Sequence, residues 1–389
     1  MAPSQLSTKR RLIFSAILLA MVLVLLELSL QVFYFVTVGD WLASRTDLPI
    51  FEEDDTRCYR VKGDLDYAVR TNEFNVTVYT NSQGMRTDSR RLDVSFEKPE
   101  DVYRILMLGP SFTFGWGNEF EESYTTLIGD LLRKTGLNVE VVNLGTPAQG
   151  PEAQLCWLEK KGYQFKPDMI LQTTYGKVIT SVVGKCPETL SCPFIEDSTM
   201  YSRDPTLIRM FIARVKKLGT VFYGFYVYNA LLPEPEGSSE EESAEAGKEL
   251  YSDRAQQSLD AGREEFVGDF RRYRDLVERV VGPETEVVFL FLPVSFMVHP
   301  EDASRWSHID DADSMGARRD VAAAATALHA AGIELIDTTG ALLAEASHER
   351  LYYWLDIHLT PAGNRVVAEK AIPRLTEIIS TSRWAQATR

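Results

Sequence analysis

Three residues from distant parts of the chain could together carry out acyl transfer: Ser111, Asp356 and His358. A serine hydroxyl is a weak nucleophile until a neighbouring base accepts its proton, and that base needs a carboxylate to hold its tautomer. His358 could be the base and Asp356 the orienting acid, because they lie two positions apart in DIHLTPAG, ahead of a predicted helix with Pro361 in its first turn. The other histidines lack such a context, and we expect them to be structural or exposed: His299, His308, His329 and His348.

The apolar pattern predicts the elements that position these residues. Five apolar runs are typical of buried strands: 103–109, 139–145, 168–176, 286–293 and 333–337. Four segments have helical spacing: 123–136, 151–162, 318–331 and the segment from 361 onward. This alternation predicts a three-layer α/β fold with a doubly wound parallel sheet. Ser111 comes directly after the first strand, so we expect its hydroxyl at the carboxyl edge of the sheet, where such folds bind ligands.

The sequence resembles the SGNH (GDSL-like) hydrolase superfamily in three blocks. The first block corresponds to RILMLGPSFTFGWG, the second to NLGTPAQG and the last, which is quite specific, to DIHLTPAGNRVVAE. The resemblance covers about 103–380 apart from an insertion, and it implies a flavodoxin-like sheet and a triad of Ser111, His358 and Asp356. It also implies an oxyanion hole built from the Ser111 amide, Gly145 and an asparagine in the family's third block.

Two positions depart from the family pattern. The third block reads TTYGKVI where the family has Gly-x-Asn-Asp, so Lys177 stands at the asparagine position and Val178 at the aspartate. Pro110 replaces the acid that precedes the serine in the first block. Loss of one oxyanion donor costs about 10²- to 10³-fold in turnover. Lys177 could replace the amide as a cation, or it could mark a site that no longer turns over.

Two functions of different classes therefore follow from the sequence. Membrane-tethered members that hydrolyse or transfer acyl groups on envelope polysaccharides look most similar, which predicts a periplasmic serine esterase or O-acyltransferase acting on acylated carbohydrate. The alternative is a catalytically degenerate SGNH-fold protein that serves as an accessory or structural subunit of a larger membrane complex. The complete triad favours the enzyme, and the substituted third block favours the subunit.

One segment, residues 12–38, is apolar and long enough to cross a membrane as a helix. Lys9, Arg10 and Arg11 precede it and acidic residues follow it, so we expect a cytoplasmic tail at 1–11 and the main domain on the periplasmic side of the inner membrane. A cleaved signal peptide is the alternative, but no convincing small-residue cleavage site follows Leu26. We expect a lead-in region with short strands at 39–100 and the α/β domain at 101–389.

Partners are expected at two places. Glu27 and Gln31 share one face of the apolar helix, where they could bind another transmembrane helix, or Glu27 could be protonated near the interface. The α/β domain carries an insertion at about 180–282, which includes an aromatic segment at 206–232 and an acidic stretch after it. We interpret the aromatic segment as a lid or a surface that rests on the membrane or on a partner, and the alternative is a helix and strand that only pack against the domain.

Composition narrows the function classes further. The 389 residues carry a formal net charge of -15, which argues against nucleic acid or another polyanion as a partner. No phosphate loop, dinucleotide fingerprint or metal cluster is apparent, so no cofactor is implied. Among the four cysteines, Cys186 and Cys192 flank a short loop and are expected to form a local disulfide, while Cys156 is expected to be buried.

Overall fold

The structure, a computed structural model, describes residues 8–38, 50–71, 73–176, 253–302, 314–354 and 356–387, with parts of 215–227. The chain divides into two compact units. The first comprises 1–49, 70–72 and 196–233, and the second comprises 50–69, 73–195 and 234–389. Lys177, Val178, Cys186, Cys192 and His308 lie outside the described residues.

The first unit contains the apolar helix α1 (Thr8–Val38). Its 31 residues extend over about 46 Å, and the stretch Lys9–Val36 is long and apolar enough to cross a hydrocarbon core. The helix fits a single-pass anchor, and a signal sequence would satisfy the same criteria.

Glu27 finds its hydrogen-bond partners within this unit. Its carboxylate accepts hydrogen bonds from the backbone amides of Gly219 (2.7 Å) and Thr220 (3.0 Å), from the Thr220 hydroxyl (3.0 Å) and from Gln31 (2.7 Å). The aromatic segment is thus the segment that reaches the polar face of α1. Binding of other membrane proteins through Glu27, Gln31 and 206–232 remains a prediction, and Glu27 does not require it for hydrogen bonding.

The second unit begins with five short strands. β1 (Phe51–Asp54) pairs antiparallel with β2 (Cys58–Val61), and β3 (Asp66–Arg70), β4 (Asn75–Thr80) and β5 (Arg86–Thr87) form a second small sheet. Within the predicted lead-in region, 50–69 and 73–100 belong to the same compact unit as the α/β domain, whereas 39–49 and 70–72 belong to the first unit.

A parallel five-stranded sheet forms the centre of the second unit and confirms the predicted fold class. Its elements are, in chain order, β6 (Tyr103–Leu108), α2 (Ser111–Phe114), α3 (Tyr124–Lys134), β7 (Val139–Asn143), α4 (Pro151–Lys160), β8 (Met169–Tyr175), α5 (Asp253–Val280), β9 (Glu286–Leu292), α6 (Ser295–Val298), α7 (Ser314–Ala330), β10 (Glu334–Asp337), α8 (Thr339–Glu345), α9 (Pro361–Thr381) and α10 (Arg383–Ala387). The strand order is β10-β9-β8-β6-β7, with every pairing parallel.

Both faces of the sheet are covered by helices. Alternate side chains of a strand point to opposite faces, so Ile105 and Met107 of β6 pack with α3 and α9, whereas Leu106 and Leu108 pack with α4, α5 and α7. This burial on two sides is the reason that β6 is apolar at almost every position rather than at alternate ones.

The end of the predicted insertion belongs to the sheet's helical layer. Phe270, Tyr273 and Val277 of α5 are fully buried, and the rings of Phe270 and Tyr273 contact Phe289 of β9 edge-on. The α/β body therefore resumes before residue 282, the expected end of the insertion.

Two cysteines are described. Each of them, Cys58 and Cys156, takes part in a disulfide bond, and Cys156 is fully buried, as the sequence predicts. The expected pairing of Cys186 with Cys192 lies outside the described residues and stays a prediction.

Candidate active site

Ser111 stands in the turn that leads from the end of β6 into α2. Gly109 precedes it because a Cβ at that position would lie 2.8 Å from the Cβ of Thr113, whose hydroxyl hydrogen-bonds to Tyr124 (2.8 Å). α2 lasts only one turn, since Gly115 ends it with a left-handed φ of 81°. This strand-to-helix turn places the hydroxyl at the carboxyl edge of the sheet, as predicted.

Asp356 and His358 lie on a short hairpin between α8 and α9. Tyr352 and Leu359 form an antiparallel bridge, and the amide of Tyr353 donates to the carbonyl of His358 (3.0 Å). The hairpin leads into α9 at Thr360, whose hydroxyl caps the helix by accepting from the amide of Gly363. Pro361 occupies the first helical turn, where its missing N–H costs nothing.

The three predicted catalytic residues come together. The Nε2 atom of His358 lies 2.5 Å from Oγ of Ser111, and its Nδ1 atom contacts Oδ1 of Asp356. The same carboxylate oxygen accepts from the backbone amide of His358 (3.0 Å), which fixes the relative position of acid and base. The ring of Phe112 packs 4.7 Å from the imidazole, so the base is held on one side by an aromatic wall. This is the arrangement of a nucleophile, a general base and an orienting acid.

The surroundings keep Asp356 ionised. Burial raises the pKa of this carboxyl, but the charge of His358, its two hydrogen bonds and a hydrogen bond from the side chain of Trp116 together lower the pKa below its ordinary value of 3.8. An ionised Asp356 favours the tautomer of His358 in which Nδ1 carries the proton. That tautomer leaves Nε2 free to accept the proton of Ser111.

Gly145 does not have the role that the resemblance implies. Its amide donates to Oδ1 of Asn143 (2.9 Å), so it is committed within its own loop instead of to an oxyanion. The reason for a glycine here is close packing, because a Cβ would collide with the backbone of Thr113 and Phe114. The amide of Ser111 lies in the first turn of α2, where an amide has no acceptor within the helix, so its role as an oxyanion donor stays a prediction. Lys177 and Val178 lie outside the described residues, so the third-block donor stays a prediction.

The loop after β7 lies against the lead-in strands. The side-chain amide of Gln149 donates to the carbonyls of Arg57 (3.0 Å) and Tyr59 (3.1 Å), and the Tyr59 hydroxyl donates to the carbonyl of Pro147 (3.0 Å). Ala148 holds a left-handed φ of 59°, a strained conformation for a residue with a side chain. The lead-in region thus fixes the loop of the second block.

Sequence reasoning missed the groups that brace the catalytic hairpin. His299 is buried and accepts a hydrogen bond from the amide of Leu351 (3.2 Å), and the Tyr352 hydroxyl donates to the carbonyl of Pro293 (2.5 Å). Asn118 is fully buried and donates to the carbonyl of Leu359 (2.9 Å). The sequence contains no signal for these contacts, because each joins parts of the chain that are far apart.

Three of the remaining histidines, His299, His329 and His348, lie among the described residues and agree with the expectation of structural or exposed roles. Burial lowers the pKa of His299, and the charge of Arg350 adds to this effect against the opposing carboxylates of Glu301 and Asp302. His329 and His348 are exposed. Among the described residues, no group of three or more His, Cys, Asp or Glu side chains could hold a metal ion.

Comparison with known proteins gives a likeness of fold. No model of a known protein family matches the chain, and no curated protein matches it in sequence. Similar solved structures include a lipase/acylhydrolase from Enterococcus faecalis (12% identity, 71% of this chain and 96% of that chain, TM-score 0.38) and an acetyl xylan esterase from Geobacillus stearothermophilus (12% identity, 70% and 94%, TM-score 0.37). A protein described as lipolytic and of the G-D-S-L family, from Desulfitobacterium hafniense, is also similar (12% identity, 69% and 98%, TM-score 0.35).

Proposed function

We propose that this protein is a membrane-anchored serine esterase or O-acyltransferase that acts on acylated carbohydrate. The observation that carries the proposal is the continuous contact from the Ser111 hydroxyl through His358 to Asp356. Each of the three side chains has the neighbour that its role in acyl transfer requires.

The geometry supports a two-step reaction on an ester. Oγ of Ser111 attacks the carbonyl carbon while its proton passes to Nε2 of His358, and the amide of Ser111 stabilises the oxyanion. The ester C–O bond then breaks, the leaving alcohol takes the proton from Nε2, and the acyl group stays on Ser111. Attack by water completes hydrolysis, whereas attack by a second hydroxyl completes transfer, and in both cases His358 first removes and then returns a proton.

The location outside the cytoplasm follows from the charges beside the apolar helix. Lys9, Arg10 and Arg11 precede the helix, and basic residues stay on the cytoplasmic side. An uncleaved α1 would then hold the second unit on the periplasmic face of the inner membrane, where acylated envelope polysaccharides would be within reach.

Covalent labelling of the nucleophile tests the proposal. A fluorophosphonate probe should label the purified full-length protein stoichiometrically, and Ser111→Ala should abolish labelling, because the probe forms a bond to an activated serine. Ser95→Ala, at an exposed serine outside the site, is the matched control and should label like the wild type. Absence of labelling in a folded wild-type protein would contradict an active esterase.

One observation favours the second function, a degenerate accessory subunit of a membrane complex. The amide of Gly145 is engaged by Asn143, so the described part of the site has one oxyanion donor fewer than the family pattern implies. This function requires a partner that remains stoichiometric through purification in mild detergent, together with an unreactive Ser111. Labelling of Ser111 and loss of all partners would reject it.

A further inference from the structure

Trp354 lies on the catalytic hairpin, four residues before the base. Its side chain is 48% exposed, and it is the only exposed tryptophan among the residues that the structure describes. Tryptophan is highly buried on average, since its large ring gains much from leaving water. An exposed indole on the hairpin that carries the catalytic acid and base therefore suggests a surface that a ligand covers.

The indole is held in place before any ligand arrives. The guanidinium carbon of Arg350 lies 4.8 Å from the centre of the ring, and its Nη2 atom binds both oxygens of the fully buried Asp302 at 2.6 and 2.7 Å. On the backbone side, the amide of Trp354 donates to Oε1 of Glu73 (2.5 Å). Because the ring is supported in this way, a ligand that stacks on it loses little conformational entropy of the protein.

Trp354 belongs to the same hairpin as the acid and the base. Trp354 follows Tyr353, whose amide donates to the carbonyl of His358, and it precedes Asp356 by two residues. Consecutive Cα atoms are about 3.8 Å apart, so the Cα atoms of Trp354 and Asp356 lie at most about 7.6 Å from each other. A group stacked on the indole would therefore be bound by the same hairpin that carries the acid and the base.

We propose that Trp354 is the stacking platform for a sugar ring of the substrate, and that this substrate is an uncharged glycan ester. The proposal rests on the function proposed above and specifies its substrate. The face of an indole is electronegative and the C–H groups of a pyranose ring are weakly positive, so they attract while the sugar hydroxyls stay hydrated at the rim. A flat apolar ring beside carboxylates does not form the continuous apolar groove that an acyl chain needs. Glu73, Glu301 and the chain's net charge of -15 disfavour a polyanionic glycan.

The experiment compares two acetyl esters, one that contains sugar rings and one that does not. Full-length protein is assayed with partially O-acetylated cellopentaose and with triacetin, and the measured quantity is the ratio of the two kcat/KM values. Trp354→Ala should lower this ratio about 3- to 10-fold through a higher KM for the glycan ester, the effect expected of one lost stacking contact. Trp354→Phe should keep most of the ratio, and Tyr163→Ala, at an exposed aromatic residue outside the hairpin, should keep all of it.

The outcomes separate this proposal from the proposed function. An unchanged ratio in Trp354→Ala, or an equal loss with both esters, would overturn the platform, because a merely structural role would affect both. If the wild type hydrolyses neither ester, the enzymatic function fails, and calorimetric titration of Ser111→Ala protein with the acetylated cellopentaose still tests the platform. A Kd that is 3- to 10-fold higher for the double variant Ser111→Ala/Trp354→Ala than for Ser111→Ala supports the platform. Absence of binding to Ser111→Ala protein rejects the platform. Tighter binding of acetylated polyuronate than of acetylated cellopentaose would reject the uncharged glycan.

Discussion

Nε2 of His358 lies 2.5 Å from Oγ of Ser111, although 247 positions separate the two residues in the sequence. The serine follows the central strand β6, and the histidine is carried by a hairpin that is braced from several directions. The imidazole has hydrogen-bonding neighbours on both nitrogens, with Asp356 on Nδ1 and Ser111 on Nε2.

Asp356→Asn should lower kcat for ester hydrolysis by about 10⁴-fold with little change in KM, because the amide favours the wrong tautomer of His358. The assay is triacetin hydrolysis by the full-length protein in detergent. Glu97→Gln, at an exposed carboxylate, is the control and should retain wild-type turnover. Wild-type turnover in Asp356→Asn would show that this carboxylate does not orient the base.

The pH dependence of stability should reveal the same carboxylate. Burial raises its pKa, but the interactions with His358 and Trp116 outweigh burial and place the folded pKa below 3.8. Since the unfolded chain then binds the proton more tightly, the stability that ionised Asp356 contributes is fully present above pH 3.8 and is lost as pH falls through the folded pKa. The difference in Tm between wild type and Asp356→Asn, followed by circular dichroism, should therefore shrink in that acidic window. A difference that grows on acidification would reverse the sign of the argument.

His299 should act as a positioning residue for the catalytic hairpin. His299→Ala removes the acceptor for the buried amide of Leu351, at a cost of about 1–3 kcal/mol in the free energy of unfolding. Because the hairpin carries Asp356 and His358, we expect kcat to fall more than KM changes. His299→Gln, which retains an acceptor, should recover part of both losses.

The titration of His299 gives this prediction a second readout. Burial lowers its folded pKa, so stability from neutral His299 is fully present above the unfolded pKa of 6.5 and declines as pH falls toward the folded pKa. The stability of His299→Gln should decline less over that range than the stability of the wild type. Equal declines in both proteins would assign the pH dependence to other groups.

Gly145→Ala should destabilise the protein by about 1–3 kcal/mol, because the added Cβ meets the backbone of Thr113 and Phe114, which has no room to move. Gly340→Ala is the matched control. It lies in α8 with no heavy atom within 4 Å of the added Cβ, so it should stabilise by about 0.4–1 kcal/mol. Thermal unfolding of the two variants measures both effects. If Gly145→Ala were as stable as the wild type, the loop after β7 would not be packed against α2 as described.

The parallel sheet could be predicted from the sequence because its signal is local. A strand that is buried on both faces is apolar at nearly every position, and β6 and β9 satisfy this within six or seven residues each. β8 begins with an apolar run of three residues and then carries buried polar side chains. The end of the insertion has no comparable local signal in the sequence. α5 is a long helix with charged residues on its exposed side, and only contacts with Phe289 across the fold show that it belongs to the sheet's helical layer.

The site also contains residues that the local sequence identifies and residues whose role depends on contacts across the fold. Ser111, Asp356 and His358 could be identified because their types and their positions relative to a strand and a helix carry the chemical signal. The predicted oxyanion role of Gly145 was wrong because a sequence does not show which acceptor a backbone amide hydrogen-bonds to. In the structure the side chain of Asn143 takes the hydrogen bond that the family resemblance assigns to the oxyanion.

By itself, the sequence determined the parallel sheet, the apolar helix and the chemical identity of the three catalytic candidates. These depend on side-chain type and on spacing between near neighbours. The tertiary structure alone decided that Glu27 is satisfied by Gly219 and Thr220, that His299 braces the hairpin and that Arg350 supports an exposed Trp354. Each of these contacts joins groups whose distance along the chain gives no information about their distance in space, so packing fixes them after the local elements have formed.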